Sequence, residues 1–336
     1  MPQAPTSGAF GYINYGFEST YGTVAASFPR SFGHGAKLTV DRKNNMERIH
    51  GAGARNATAN VAKKYEGNYT VEFNLDAGET TIAGGASWFR AVMGAIPTDG
   101  GATPYTHTYT ETNALASFSI ANGIELGTND SVAALIGCKA ASTEISFAVD
   151  EVARVKISGP YRTESMAVAG IGSAVAPVGV PFTFAHATLS VAGTPVGYVQ
   201  SGTLTVNHDI EMLWGAGSRY STAGPEKTRK YDFKGTVAFS DVTLLMEKLY
   251  GTTVPMTASA LATLNPAGVA MVMTFDNGLT VINMRKIVLT FANFYIDAHT
   301  LPTDVNEIIK EDVTGYALSC TNVVVSNATA TDVASP

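Results

Sequence analysis

Three short motifs recur in the same order about half a chain apart, and this repetition constrains the fold more than any other feature. Leu38-Thr39-Val40 returns as Leu204-Thr205-Val206, 166 positions on. Gly51-Ala52-Gly53-Ala54-Arg55 returns as Gly215-Ala216-Gly217-Ser218-Arg219, 164 positions on. Lys64-Tyr65 followed by Thr70-Val71-x-Phe73 returns as Lys230-Tyr231 followed by Thr236-Val237-x-Phe239, again 166 on. Ordered anchors at a nearly constant offset predict two tandem copies of one unit.

The parallel extends beyond the anchors. Ser87-Trp88-Phe89-Arg90-Ala91-Val92-Met93 follows the Phe73 strand, and Val242-Thr243-Leu244-Leu245-Met246-Glu247-Lys248-Leu249 follows the Phe239 strand. Each reads as one short amphipathic helix, ended by Gly94 or Gly251. Ser119-Ile120-Ala121-Asn122-Gly123-Ile124 then parallels Thr274-Phe275-Asp276-Asn277-Gly278-Leu279, and each Asn-Gly predicts a hairpin turn. Val152 to Ser158 parallels Val313 to Ser319 as a closing strand. Apolar and polar residues alternate in Tyr69-Thr70-Val71-Glu72-Phe73 and from Glu144 to Val149, which suits sheets buried on one face.

The expected class is therefore mainly β: two tandem sandwich or barrel domains, each with one short flanking helix and a long loop. The first domain is expected over residues 1–165 and the second over 181–325. A Gly/Ala/Pro linker joins them over 166–180, and a tail follows over 326–336.

Composition narrows function mainly by exclusion. The net charge of -6 gives no basic surface for a phosphate backbone, so sequence-reading nucleic-acid binding is not expected. Cys138 and Cys320 stand alone, one in each half, and are expected to be reduced, buried and unpaired. The start lacks a basic segment followed by an apolar one, so no signal peptide is expected, and Asn-x-Thr at Asn56, Asn68 and Asn327 is incidental. The apolar stretch Met166 to Val180 is short for a bilayer span and is broken by Gly170, Gly172, Pro177 and Gly179. No membrane insertion is expected.

The chain offers no catalytic constellation. Gly51-Ala52-Gly53 lacks the third glycine of a dinucleotide loop, and its recurrence favours a structural turn. His208-Asp209-x-Glu211 could supply metal ligands, but strand alternation would split them between faces. Asp150-Glu151 is expected at a solvated strand turn. We expect no enzyme activity, cofactor or metal.

Charged residues make up only 15% of the chain, against roughly a quarter in typical domains, yet both signs gather in the excursion between the repeated strands. In the first copy this gives Asp41, Arg42, Lys43, Glu47, Arg48, Arg55, Lys63 and Lys64, with apolar Met46 and Ile49 among them. In the second it gives Asp209, Glu211, Arg219, Glu226, Lys227, Arg229 and Lys230. A long loop of mixed charge suits an arm that docks on a neighbour, its ion pairs setting register more than affinity.

Gly16-Phe17-Glu18-Ser19-Thr20-Tyr21-Gly22-Thr23 resembles the opening segment of tail tube proteins of long-tailed bacterial and archaeal viruses. Leu38-Thr39-Val40-Asp41-Arg42-x-Asn44-Asn45-x-Glu47-Arg48, continuing through Gly51-x-Gly53-x-Arg55-Asn56 to Tyr65-Glu66-Gly67, resembles the same family more specifically. The second copy departs from the pattern, with Asn207-His208-Asp209 in place of the Asp-Arg-x-Asn-Asn run. The resemblance implies a structural subunit of the virion tail, assembled in the host cytoplasm, that stacks as rings into a hollow conduit for DNA. It implies loops that join ring to ring, with the tape-measure protein and then viral DNA in the channel, read without sequence recognition. Tail terminator and baseplate proteins would meet the ends. A duplicated subunit is expected to close a pseudo-six-fold ring from three chains. The acidic balance is expected to leave the channel wall negative or neutral. The alternatives are a related baseplate or secretion-tube subunit and, from another class, a carbohydrate-binding or adhesin-like β-sandwich. The latter wants exposed aromatic platforms, and the only tryptophans are Trp88 and Trp214.

Overall fold

The computed structural model describes residues 11–53, 55–78, 86–124, 131–166, 175, 177, 179–238, 268–280, 283–300 and 310–328. The helix expected over Val242 to Leu249, most of the expected linker and most of the tail lie outside these residues. The first half opens with β1 (Gly11–Phe17), β2 (Arg30–Ser31), β3 (Lys37–Lys43), β4 (Met46–Ile49), β5 (Ala59–Ala62), β6 (Glu66–Asn74) and helix α1 (Phe89–Met93). It continues with β7 (Thr98–Gly100), β8 (Tyr105–Tyr109), β9 (Phe118–Ile124), β10 (Ser131–Cys138), β11 (Ser142–Ala148), β12 (Arg154–Tyr161) and β13 (Thr163–Met166). The second half supplies β14 (Ala187–Val191), β15 (Thr194–Pro195), β16 (Val199–Ile210), β17 (Leu213–Trp214), β18 (Ser221–Ala223) and β19 (Glu226–Ala238). It ends with β20 (Val269–Asp276), β21 (Lys286–Thr300), β22 (Lys310–Ala317) and β23 (Cys320–Asn327).

The fold is mainly β, and no barrel closes within the described residues. Strand alternation sets the two faces. On β6, Tyr69, Val71 and Phe73 are buried while Glu72 is exposed. Ile145 and Phe147 do the same on β11. The buried faces meet in an aromatic core where Tyr15 packs on Phe32 and Phe32 on Phe73, with ring centroids 4.5 and 5.5 Å apart. Trp88, at the start of α1, meets Phe73 edge-on at 5.7 Å and stacks on Phe89, which ties the helix to this core. The helix ends where expected, at Gly94, whose φ of 95° disfavours any other residue.

Strand order repeats between the halves. In the first, β2-β1-β9-β10-β13 form one sheet and β3-β6-β12-β11 lie in another. In the second, β15-β14-β20-β21-β23 and β16-β19-β22-β21 follow the same sequence of partners. The long β21 stands for both β10 and β11: its first part pairs with β20 and β23, its last part with β22. The halves join without a seam, because β11 pairs with β16, Ile145 opposite Leu204. The first half also lends β8 and β7 to the second, where β8 pairs with β23.

Two sequence expectations fail. Asn122-Gly123 is not a turn: both residues sit inside β9, paired with β1 on one side and β10 on the other. The glycine is needed there because Tyr12 packs over it, and a Cβ would lie 2.1 Å from its Cζ. Asn277-Gly278 does turn, with Gly278 at φ 69° and its N–H donating to Asp276 Oδ1 at 2.8 Å. The third anchor is also out of register. Val40 pairs with Tyr69 and Val206 with Tyr231, so the counterpart of Tyr231 is Tyr69 and not Tyr65. The second hairpin is thus two residues shorter on each strand.

Candidate assembly interface

Both charged excursions are long β-hairpins with a separate ribbon at the tip. β3 and β6 carry the ribbon β4–β5, and β16 and β19 carry β17–β18. The tips match closely. The Thr58 hydroxyl donates to the Ile49 carbonyl at 3.2 Å, and the Thr222 hydroxyl to the Leu213 carbonyl at 3.2 Å. Gly53 at φ 80° and Gly217 at φ 86° make the turns, as the repeated glycines implied. Glu47 pairs with Lys63 at 2.5 Å, and Glu211 with Lys227 at 2.7 Å, so each ribbon carries the same ion pair.

The surroundings of the two tips differ. The second hairpin leans onto the base of the first. Arg219 donates from Nε to the Lys63 carbonyl at 2.8 Å and from Nη2 to the Asn44 carbonyl at 3.1 Å. Its own carbonyl accepts from the Tyr65 N–H at 2.8 Å. Trp214 Nε1 donates to the Tyr65 carbonyl at 3.3 Å, and Lys64 Nζ lies 4.6 Å from the Trp214 ring centroid. The Tyr220 ring meets Tyr65 edge-on at 5.6 Å, while Arg162 Nε donates to the Ser221 carbonyl at 2.9 Å. Beneath them the Tyr65 and Tyr161 hydroxyls share a hydrogen bond of 2.8 Å.

The charged residues picked out by sequence therefore divide. Arg219, Glu226 and Arg229 are engaged within the chain, Glu226 with Lys139 and with the Leu115 N–H. Arg229 reaches Glu111 at 3.3 Å and the Thr112 carbonyl at 2.7 Å. Arg42 is also engaged, with Nε 2.7 Å from Glu164 on β13. Lys64 pairs with Glu66 at 2.6 Å, and Lys43 lies 3.9 Å from Asp41. Asp41, Lys43, Met46, Glu47, Arg48, Ile49, Arg55 and Lys63 are exposed on the first hairpin, and Asp209, Glu211, Lys227 and Lys230 on the second. His208 is buried while Asp209 and Glu211 face solvent, so the three do not converge on a metal. Burial and the adjacent Arg229 guanidinium push His208 down to about 4.

Sequence reasoning missed the receiving side of this contact: Tyr65, Tyr161, Arg162 and Tyr21, whose hydroxyl lies 3.2 Å from Ser221 Oγ. One signal was available. Trp214 stands where the first copy has His50, immediately before the repeated glycine motif.

Among the described residues, two of the open strand edges lie at corresponding places in the sheet that runs through both halves. β3 pairs only with β6, and beyond Phe294 β21 pairs only with β22. Leu38, Val40 and Ile296 on these edges are half-buried, whereas Leu204 and Val206, matching the first two, are 1% and 4% exposed under β11. No helix among the described residues is long and apolar enough to cross a membrane.

Uncovered strand edges and projecting ribbons are features through which a β-protein can join other chains. The family model for phage tail tube protein matches residues 8–317, and the chain belongs to that family. It is a structural subunit of a viral tail tube, with its place in the virion tail. No curated protein matches the chain.

Proposed function

We propose that this chain is a tandem duplication that polymerises as rings of three, stacked into the hollow conduit through which viral DNA is delivered. The units are residues 1–165 and 181–325, joined by 166–180, with 326–336 as a tail. The carrying observation is the junction inside the chain. β11 of the first half pairs with β16 of the second, and their counterparts, the end of β21 and β3, are left open. Repeating the internal junction between chains joins β21 of one subunit to β3 of the next, with Ile296 opposite Val40. This completes the burial of Leu38, Val40 and Ile296, and it closes by rotation instead of propagating.

The solvent face of the continuous sheet then lines the channel. Lys37, Glu72, Lys156 and Glu144 stand side by side on four neighbouring strands, alternating in sign. Opposite charges at cross-strand spacing support the sheet and cancel one another's field. Such a wall neither grips nor strongly repels a polyanion, which suits passage of the tape-measure protein and then DNA. Tail terminator and baseplate proteins meet the tube ends, and assembly takes place in the host cytoplasm.

Oxidative cross-linking of the double variant Val40→Cys, Ile296→Cys tests the junction. A ladder ending at covalent trimers on a non-reducing gel, absent from either single variant, is expected. Assembled protein that yields no cross-link, or a ladder extending to hexamers, overturns the proposal.

A further inference from the structure

We propose that the two hairpins do different jobs: the second is a latch that closes on the first within the chain, and only the first makes the contact to the next ring. This rests on the ring reading above. It makes the number of axial contacts three per ring, not six.

The latch chemistry is confined to one direction. Trp214, Tyr220 and Ser221 make contacts on the second tip, and the first tip has His50, Asn56 and Ala57 at those places. The seat is equally one-sided. Asn44, Lys64 and Tyr65 lie where the first hairpin has its two extra residues per strand, so the second hairpin has no matching corner to offer a neighbour. Its own base is filled instead by Glu111 and Thr112 of the first half, held by Arg229. A copy of the latch between chains would find neither its aromatic tip nor its seat.

The first ribbon is left bare. All of β4 is exposed, as are Ala59, Asn60 and Val61 of β5. Met46, Ile49 and Val61 are 56%, 45% and 45% exposed. A two-stranded ribbon without a layer beneath it is marginal in water, so this one needs a partner to be ordered. The pairing edges of the sheet point around the ring, whereas hairpin tips extend from strand ends. The partner therefore lies above or below, and it is a second copy of this chain.

The test compares two exposed-site variants, Ile49→Asp with Val61→Asp on the first ribbon and Leu213→Asp on the second. Trimer formation is read by native mass spectrometry and tube length by negative-stain microscopy, with circular dichroism confirming the fold. The ribbon variant should keep its trimers but need about a hundredfold more protein to form tubes. Leu213→Asp should form tubes like wild type. Equal damage from Leu213→Asp, or normal tubes from the ribbon variant, overturns the division of labour. Wild-type protein that forms neither rings nor tubes overturns the ring reading itself.

Discussion

Arg219 and Lys63 lie 156 residues apart in sequence, yet the guanidinium Nε of one donates to the carbonyl of the other at 2.8 Å. The contact ties the tip of the second hairpin to the neck of the first, with Trp214 beside it. Arg219→Ala with Trp214→Ala removes the guanidinium and indole donors but no core side chain. We expect a loss of about 1–3 kcal/mol, since a part-exposed charged donor and a partly covered indole each contribute modestly. Hydrogen exchange should rise at Asn45, Lys63 and Tyr65 while the Leu204 strand stays protected. Unchanged exchange at the neck would show the contact to be incidental.

His208 makes stability depend on pH. Its folded value of about 4 lies below the ordinary 6.5, because of burial first and the Arg229 charge second, with Glu226 opposing them. The unfolded chain therefore takes up a proton that the folded chain refuses. Stability from this group is complete above pH 6.5 and falls as pH drops from there towards 4, by about 3 kcal/mol in full. Denaturant midpoints at pH 7.5 and 4.5 should diverge less in His208→Gln than in wild type. An identical divergence would assign the acid sensitivity to other groups.

The two thiols should be inert in the native chain. Both are buried and unbonded, and burial pushes Cys320 up to about 12 and Cys138 well above its ordinary value. Ellman's reagent at pH 8 should find neither in folded protein and both in denaturant. Fast reaction of either in the native state would contradict the buried placement.

Lys156 stands between Glu72 and Glu144 on adjacent strands. Lys156→Glu lines up three carboxylates at cross-strand spacing. The cost should be about 1 kcal/mol at low salt, shrinking as ionic strength rises. Thermal melts at two salt concentrations read this directly. A salt-independent difference would mean that the charges on this face do not interact.

The hairpins were legible in the sequence because each step is local: paired glycines that accept positive φ, alternating side chains, and a repeat that exposes the spacing. The matching ion pairs Glu47–Lys63 and Glu211–Lys227 could also have been found, since both preserve the 164-residue offset of the glycine motif. Asn122-Gly123 misled because local turn propensity gave way to packing under Tyr12. The seat of Tyr65, Tyr161 and Arg162 was invisible for another reason. Its members come from separate strands, and only tertiary folding brings them together. Arg42 looked available as an exposed cation, but its partner Glu164 lies 122 residues away.

The pairing of β11 with β16 changes the arithmetic of assembly. A chain that folds with one such junction already made carries two neighbouring units at a fixed effective concentration, whatever the dilution. The loss of translational and rotational freedom that each new contact entails is avoided at that junction. On the proposed ring, closure from three such chains would scale with the third power of subunit concentration, where six separate units would scale with the sixth. Assembly from fused units therefore stays possible at concentrations where separate ones would remain dispersed.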